Sequence, residues 1–91
     1  GLVAECVDDE RIMDRALELA GALAAGPRDA FLAVRQLVSL AGSASLAEQL
    51  EHEAAAQGRL GDNADFAEGV AAFREKRTPT FNAWLDPNRR P

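Results

Sequence analysis

Apolar positions recur along this chain with the three-to-four-residue spacing of amphipathic helices, in blocks separated by Gly, Pro, Ser and Asn. In the first block Ile12, Met13, Ala16, Leu17, Ala20, Leu23 and Ala24 make a broad apolar face, with Asp14, Arg15 and Glu18 opposite. Either Asp8 or Asp9 can cap this helix, and Glu10 adds charge that suits a helix N-terminus. Gly26-Pro27 ends it, and Pro27 can serve as the first residue of the next helix. That second helix is expected from roughly Pro27 to Ala41, with Phe31, Val34, Leu37, Val38 and Ala41 as its buried stripe. Ser45 and Glu48 have the spacing of a capping box and open a third helix, to about Leu60. Its apolar face is thin, so it is expected to bury little in its own chain and to lie against a larger body or a subunit contact.

The fourth block carries the most information. Phe66, Val70 and Phe73 share one face of a helix that Asn63 can cap. Arg74, Glu75, Lys76 and Arg77 follow, and Thr78-Pro79 is expected to stop the helix. Two aromatics and three cations therefore gather at one helix end, where the macrodipole favours positive charge. Such a corner suits an adenine nucleotide or a phosphorylated carrier. Spacing alone favours a plainer reading, in which the apolar residues are helix core and Lys76 and Arg77 only complement the dipole. Before these blocks, Gly1–Val7 is apolar and partly β-branched and is expected to form a short strand. The fold class is thus mainly α, about four helices after one short N-terminal strand. After Phe81 the Pro- and Arg-containing tail reads as a loose end, with Trp84 expected to pin it to a surface.

Composition narrows the function classes. At 91 residues the chain suits one small domain. Gly1 stands where a methionine would open a complete protein, so a piece of a longer protein is expected. The net charge of −5 argues against a nucleic-acid surface. The apolar runs are too short to span a bilayer. One cysteine, Cys6, allows no internal disulfide and no zinc site; it is expected to be a small buried hydrophobe in a reducing, cytoplasmic setting. Nine arginines accompany a single lysine, Lys76, which mildly marks that position. No Gly-rich phosphate loop and no Ser/His/Asp arrangement is present. His52, the one imidazole, reads as a solvated residue on a charged helix. Glu68 and Glu75 are read as too far apart on the helix to share a face, and no carboxylate is given an acid or base role.

The order of the pieces says more than any one of them. Gly1-Leu2-Val3, Asp8-Asp9-Glu10, Ala25-Gly26-Pro27, Ser45-Leu46 with Glu48, Asp65-Phe66-Ala67-Glu68-Gly69-Val70, and Ala72-Phe73-Arg74-Glu75-Lys76-Arg77 with Pro79 and Phe81 resemble the C-terminal part of the enoyl-CoA hydratase/isomerase (crotonase) family. The resemblance implies that residues 1–7 end an upstream β/α core, 8–81 form a helical oligomerisation and CoA-contacting domain, and 82–91 form a tail. It implies a trimer or hexamer, acyl-CoA as substrate, no tightly bound cofactor, and no nucleic-acid or membrane partner. Phe73 would line the coenzyme A pocket and Lys76 would stand near the ADP phosphates, with Arg77 a weaker candidate. The parent reaction would be hydration of a 2-enoyl-CoA, whose enolate is held by two backbone N–H groups. Those groups and the catalytic carboxylates would lie in the core, so none of these residues is assigned as catalytic. The competing reading is a free-standing, non-enzymatic helical interaction module.

Overall fold

A computed structural model describes residues 1–85, apart from the side chain of Trp84; the rest of the tail lies outside the described residues. A 3-10 turn at Asp9–Arg11 runs directly into helix α1 (Ile12–Ala25). Helices α2 (Arg28–Ala41), α3 (Leu46–Gly61) and α4 (Ala64–Glu75) follow, and a second 3-10 turn covers Ala83–Leu85. The mainly helical expectation therefore holds.

The expected strand is not formed. No residue of Gly1–Val7 pairs as β, and no strand occurs among the described residues. β-branched composition favours an extended chain, but a strand exists only when a neighbour accepts its ladder bonds. Cys6 is accordingly exposed rather than buried.

The helix starts differ in how they are made. Asp8 occupies the cap position of the first turn without a side-chain bond, and Arg11 N–H instead closes a tight turn on the Asp8 carbonyl at 2.8 Å. Pro27 sits at the cap of α2 rather than inside its first turn. At α3 the capping box forms in both directions: Glu48 N–H donates to Ser45 Oγ at 3.3 Å, and Ser45 N–H donates to Glu48 Oε2 at 2.8 Å. The Ser45 hydroxyl also donates to Glu48 Oε2 at 2.7 Å, and together these bonds hold the Glu48 carboxyl below its usual pKa.

Helix α3 packs between α2 and α4. Among the described residues Ala33 of α2, Ala56 of α3 and Ala72 of α4 are the buried apolar ones. Small residues let helix backbones approach, but they remove little apolar area from water. The radius of gyration is 16.7 Å, against roughly 12 Å for a compact chain of this length, so the helices are splayed. Ile12, Met13, Leu17, Val34, Val38, Leu46 and Leu50 all stay exposed. The third helix, with Ala56 its one buried residue, buries little of itself, as its thin face predicts, although it packs against both α2 and α4, and the second helix leaves much of its expected buried stripe in solvent.

Candidate functional site

Helix α4 is fixed at its start by a polar junction that draws in α2, the corner between α1 and α2, and the segment after α4. Asn63 caps it, its Oδ1 accepting the Asp65 N–H at 3.0 Å, while its Nδ2 donates to Asp29 of α2 at 2.8 Å. Asp65, in the first turn, is only 7 % exposed, and its Oδ1 accepts the Asn82 N–H at 2.8 Å. The Asn82 side chain then bridges the corner between α1 and α2. Its Nδ2 donates to the Gly26 carbonyl at 2.7 Å, and its Oδ1 accepts the Arg28 N–H at 3.3 Å. Asn82 has φ 57°, a left-handed conformation that asparagine tolerates better than most residues. The segment that follows α4 therefore folds back and ties the α1–α2 corner to the α4 start.

Beside this junction lies a groove of about 410 Å³ between α2, α3 and α4. Phe66, Val70, Phe73 and Phe81 give it apolar walls, and Asp29 and Asp65 lie at its polar side. The second Asp65 oxygen, Oδ2, is buried and has no hydrogen-bond partner among the described residues. Phe81 reaches back over α4 at Gly69, where an added Cβ would stand 3.6 Å from the ring. The helix-core reading of the aromatic stripe is corrected here: Phe66 is 55 %, Val70 43 % and Phe73 85 % exposed. They are a surface of this chain, not its interior.

The other end of α4 is built differently. The helix stops at Glu75, before Thr78-Pro79 can act, because Lys76 turns into the left-handed region with φ 55° and ψ 40°. Lys76 N–H donates to the Phe73 carbonyl at 3.3 Å and Arg77 N–H to the Ala72 carbonyl at 3.0 Å. This is the paired closure usually made with glycine at the left-handed position. A lysine there carries the cost of a crowded Cβ. Its side chain is exposed, and among the described residues it enters no ion pair.

Arg77 behaves unlike its neighbour. Its guanidinium meets both oxygens of Glu68, at 2.6 and 2.9 Å, and Glu75 at 2.6 Å. The hydrogen bonds from Glu68 and then Glu75 raise its pKa further above the usual arginine value. Glu68 Oε1 also accepts the Thr80 N–H at 2.7 Å. Two expectations change. Arg77 is a clamp within the chain rather than a free cation. Glu68 and Glu75, seven residues apart and so two turns along one face, are bridged by it. The predicted corner is therefore partly assembled: Phe73 lines the groove with Phe66, Lys76 stands exposed one turn beyond, and Arg77 is withdrawn.

Sequence reasoning missed Asp65 and Asn82, whose importance rests on contacts far apart in the chain. His52 is exposed, as expected. No cluster of three or more metal-ligating side chains occurs among the described residues, and none of their helices is long and apolar enough to cross a membrane.

Comparison with known proteins places this geometry. The family model described as enoyl-CoA hydratase/isomerase matches residues 1–84. A Rhodobacter capsulatus protein described as a probable enoyl-CoA hydratase is 46% identical over 81 residues, covering 89% of this chain and 32% of that protein. The Escherichia coli 1,2-epoxyphenylacetyl-CoA isomerase is 38% identical over 81 residues, covering 89% of this chain and 31% of its own. A crystal structure from Mycobacterium abscessus, described as an enoyl-CoA hydratase/isomerase, superposes with a TM-score of 0.85 at 44% identity, covering 89% of this chain and 31% of that one. A second one from the same organism gives 0.77 at 30% identity, covering 89% and 32%. The chain thus spans about a third of the length of the relatives it matches.

Proposed function

Since this chain belongs to the enoyl-CoA hydratase/isomerase family, we propose that it supplies the helical, CoA-contacting part of an enzyme acting on acyl-CoA thioesters. In this reading residues 8–81 form the helical domain, residues 1–7 lead into it from a β/α core, and residues 82–91 are a tail. Phe73 offers a ring and Lys76 an ammonium to the nucleotide end of coenzyme A. The observation that carries this is the end of α4: a lysine held in a left-handed turn, exposed, next to an 85 % exposed phenylalanine. Strain of this kind persists where the surrounding structure maintains it, and it concentrates at functional positions.

The reaction we propose for the whole protein is water addition across a 2-enoyl-CoA double bond. The enolate on the thioester would be held by backbone N–H donors of the core, and the carboxylates that move the protons would also lie there. The present residues bind and orient; they transfer no proton. Relatives bearing both hydratase and isomerase names support the family chemistry and leave hydration as our choice among its branches. A reducing, cytoplasmic setting fits the single free Cys6.

We also infer a homo-oligomer, a trimer or pair of trimers. Support comes from the apolar side chains that α1, α2 and α4 leave in solvent around a core of three alanines. Such a surface is more than a small monomer ordinarily exposes. The free-standing interaction module is set aside by the family match.

The test is calorimetric titration of the intact protein with coenzyme A. Lys76→Ala should weaken binding about tenfold, as expected for loss of one charge-assisted contact to phosphate. Phe73→Ala should weaken it as well. Unchanged affinity in both variants would remove the proposed site. Sedimentation of the intact protein as a monomer at micromolar concentration would remove the oligomer.

A further inference from the structure

The clamp at Arg77 has a geometry that bears on its neighbour. The turn at Lys76 is closed by main-chain hydrogen bonds from Lys76 N–H to the Ala72 and Phe73 carbonyls, the latter long at 3.3 Å, and from Arg77 N–H to Ala72, and it holds a side-chain-bearing residue where glycine is preferred. For a lysine that conformation carries a steric cost that glycine would not. Immediately after the turn, the Arg77 side chain runs back along α4 and grips Glu68 through both oxygens. The same Glu68 carboxylate takes the Thr80 N–H at 2.7 Å. Residues 77–80 are thereby tied to the flank of the helix two turns upstream, and the turn between cannot unwind without breaking that tie. Planar, two-pronged pairing of guanidinium with carboxylate fixes direction as well as distance. Arg77 also takes up Glu75 at 2.6 Å, the carboxylate next to Lys76 in sequence. That carboxylate is otherwise the nearest competitor, along the chain, for the lysine ammonium.

We propose that Arg77 is a positioning residue for Lys76. By bridging Glu68 and Glu75 it holds the left-handed turn that carries the ammonium outward, and it occupies the Glu75 carboxylate that would draw the ammonium back. Arg77 itself touches no phosphate. The inference rests on Lys76 facing the nucleotide of coenzyme A, and the experiment separates failure of that premise from failure of the inference.

The intact protein and its Lys76→Ala, Arg77→Ala, Arg77→Lys and Lys76→Ala/Arg77→Ala variants are titrated with coenzyme A and, separately, with pantetheine, which has the thiol arm and no nucleotide. Lys76→Ala and Arg77→Ala should each weaken coenzyme A binding about tenfold and leave pantetheine binding within about twofold. The double variant should be no weaker than Lys76→Ala, because a residue acting through another has nothing left to act on. Arg77→Lys keeps the charge and loses the fork, and should fall between wild type and Arg77→Ala. If Arg77→Ala is poorly folded, Glu68→Gln breaks the two-pronged arm of the clamp, leaves Glu75 in place and keeps an oxygen for the Thr80 N–H. It should weaken coenzyme A binding about threefold, and only while Lys76 is present.

Additive losses in the double variant would make Arg77 an independent phosphate contact and overturn the inference. Equal losses for coenzyme A and pantetheine would make it a general structural residue and overturn it too. So would an unaltered affinity in Arg77→Ala beside a weakened Lys76→Ala. An unaltered Lys76→Ala defeats the premise instead, and the inference with it.

Discussion

The two ends of α4 solve opposite problems. At its start, polar groups turn inward: Asn63, Asp29, Asp65 and Asn82 bond to one another and to the helix termini around them, with Asp65 Oδ2 left without a partner among the described residues. At its end the main chain is strained, one cation is withdrawn into a clamp, and another is displayed. The start has low exposure and contacts to three other segments; the end is exposed and self-contained. The difference teaches that one helix can be anchored by a network at one terminus so that the other can tolerate an unfavourable conformation. Stability should therefore be lost by changes at the start, and binding by changes at the end.

That contrast can be broken most directly at Asn82. Asn82→Ala removes the bonds to Gly26 and Arg28 and leaves a residue with Cβ in the left-handed region without a polar compensation. A loss of about 3 kcal/mol in urea denaturation is expected, with coenzyme A affinity affected only through folding. Asp65→Ala strands the Asn82 N–H and should cost about 2 kcal/mol. A variant at this end that left stability intact while abolishing binding would reverse the assignment of roles.

At the opposite end the sign changes. Lys76→Gly relieves the left-handed turn and should stabilise the protein by about 1 kcal/mol while weakening coenzyme A binding. Stability and binding moving in opposite directions is the sharpest form of the contrast. A destabilised Lys76→Gly would show that the turn is not strained.

A smaller effect lies outside both ends, at the capping box of α3. Ser45→Ala should cost about 1 kcal/mol of helix stability, read by hydrogen exchange at the first turn of α3. The Glu48 carboxyl has a folded pKa below its unfolded value. Its contribution is therefore fully present above the unfolded carboxylate pKa of about 4.3 and is lost as pH falls through the lower folded value. Protection at that turn, taken relative to the intrinsic exchange rate at each pH, should fall selectively on acidification below that range. Glu48→Gln should remove this acid sensitivity.

What could be read from the sequence follows from how local each feature is. The four helices, the Ser45–Glu48 box and the Asn63 cap were legible because each depends on residues within a turn of one another. Lys76 was legible as a lone lysine and as a match to a family motif. Its left-handed conformation was not, because that position is ordinarily recognised by glycine or asparagine. The clamp was hidden by treating Glu68 and Glu75 as unrelated, although a separation of seven is two turns of one face. Asn82 was invisible because its partners lie 17 to 58 positions away. The strand expected at Gly1–Val7 failed for the converse reason: its residues favour an extended chain, and pairing is decided by a neighbour that composition does not name. The aromatic stripe of α4 was correctly placed on one face, but periodicity cannot tell a face that packs inward from one left for another molecule.

The reach of Asn82 has a consequence for how the chain folds. The corner between α1 and α2 is made by residues close in sequence, yet the group that locks it is synthesised more than fifty positions later. Until residue 82 has emerged from the ribosome, the angle between the first two helices has no latch. Until then the corner is expected to hinge more loosely than in the finished chain. Nascent chains arrested shortly before and shortly after that residue should differ most in how readily a protease cuts at Gly26.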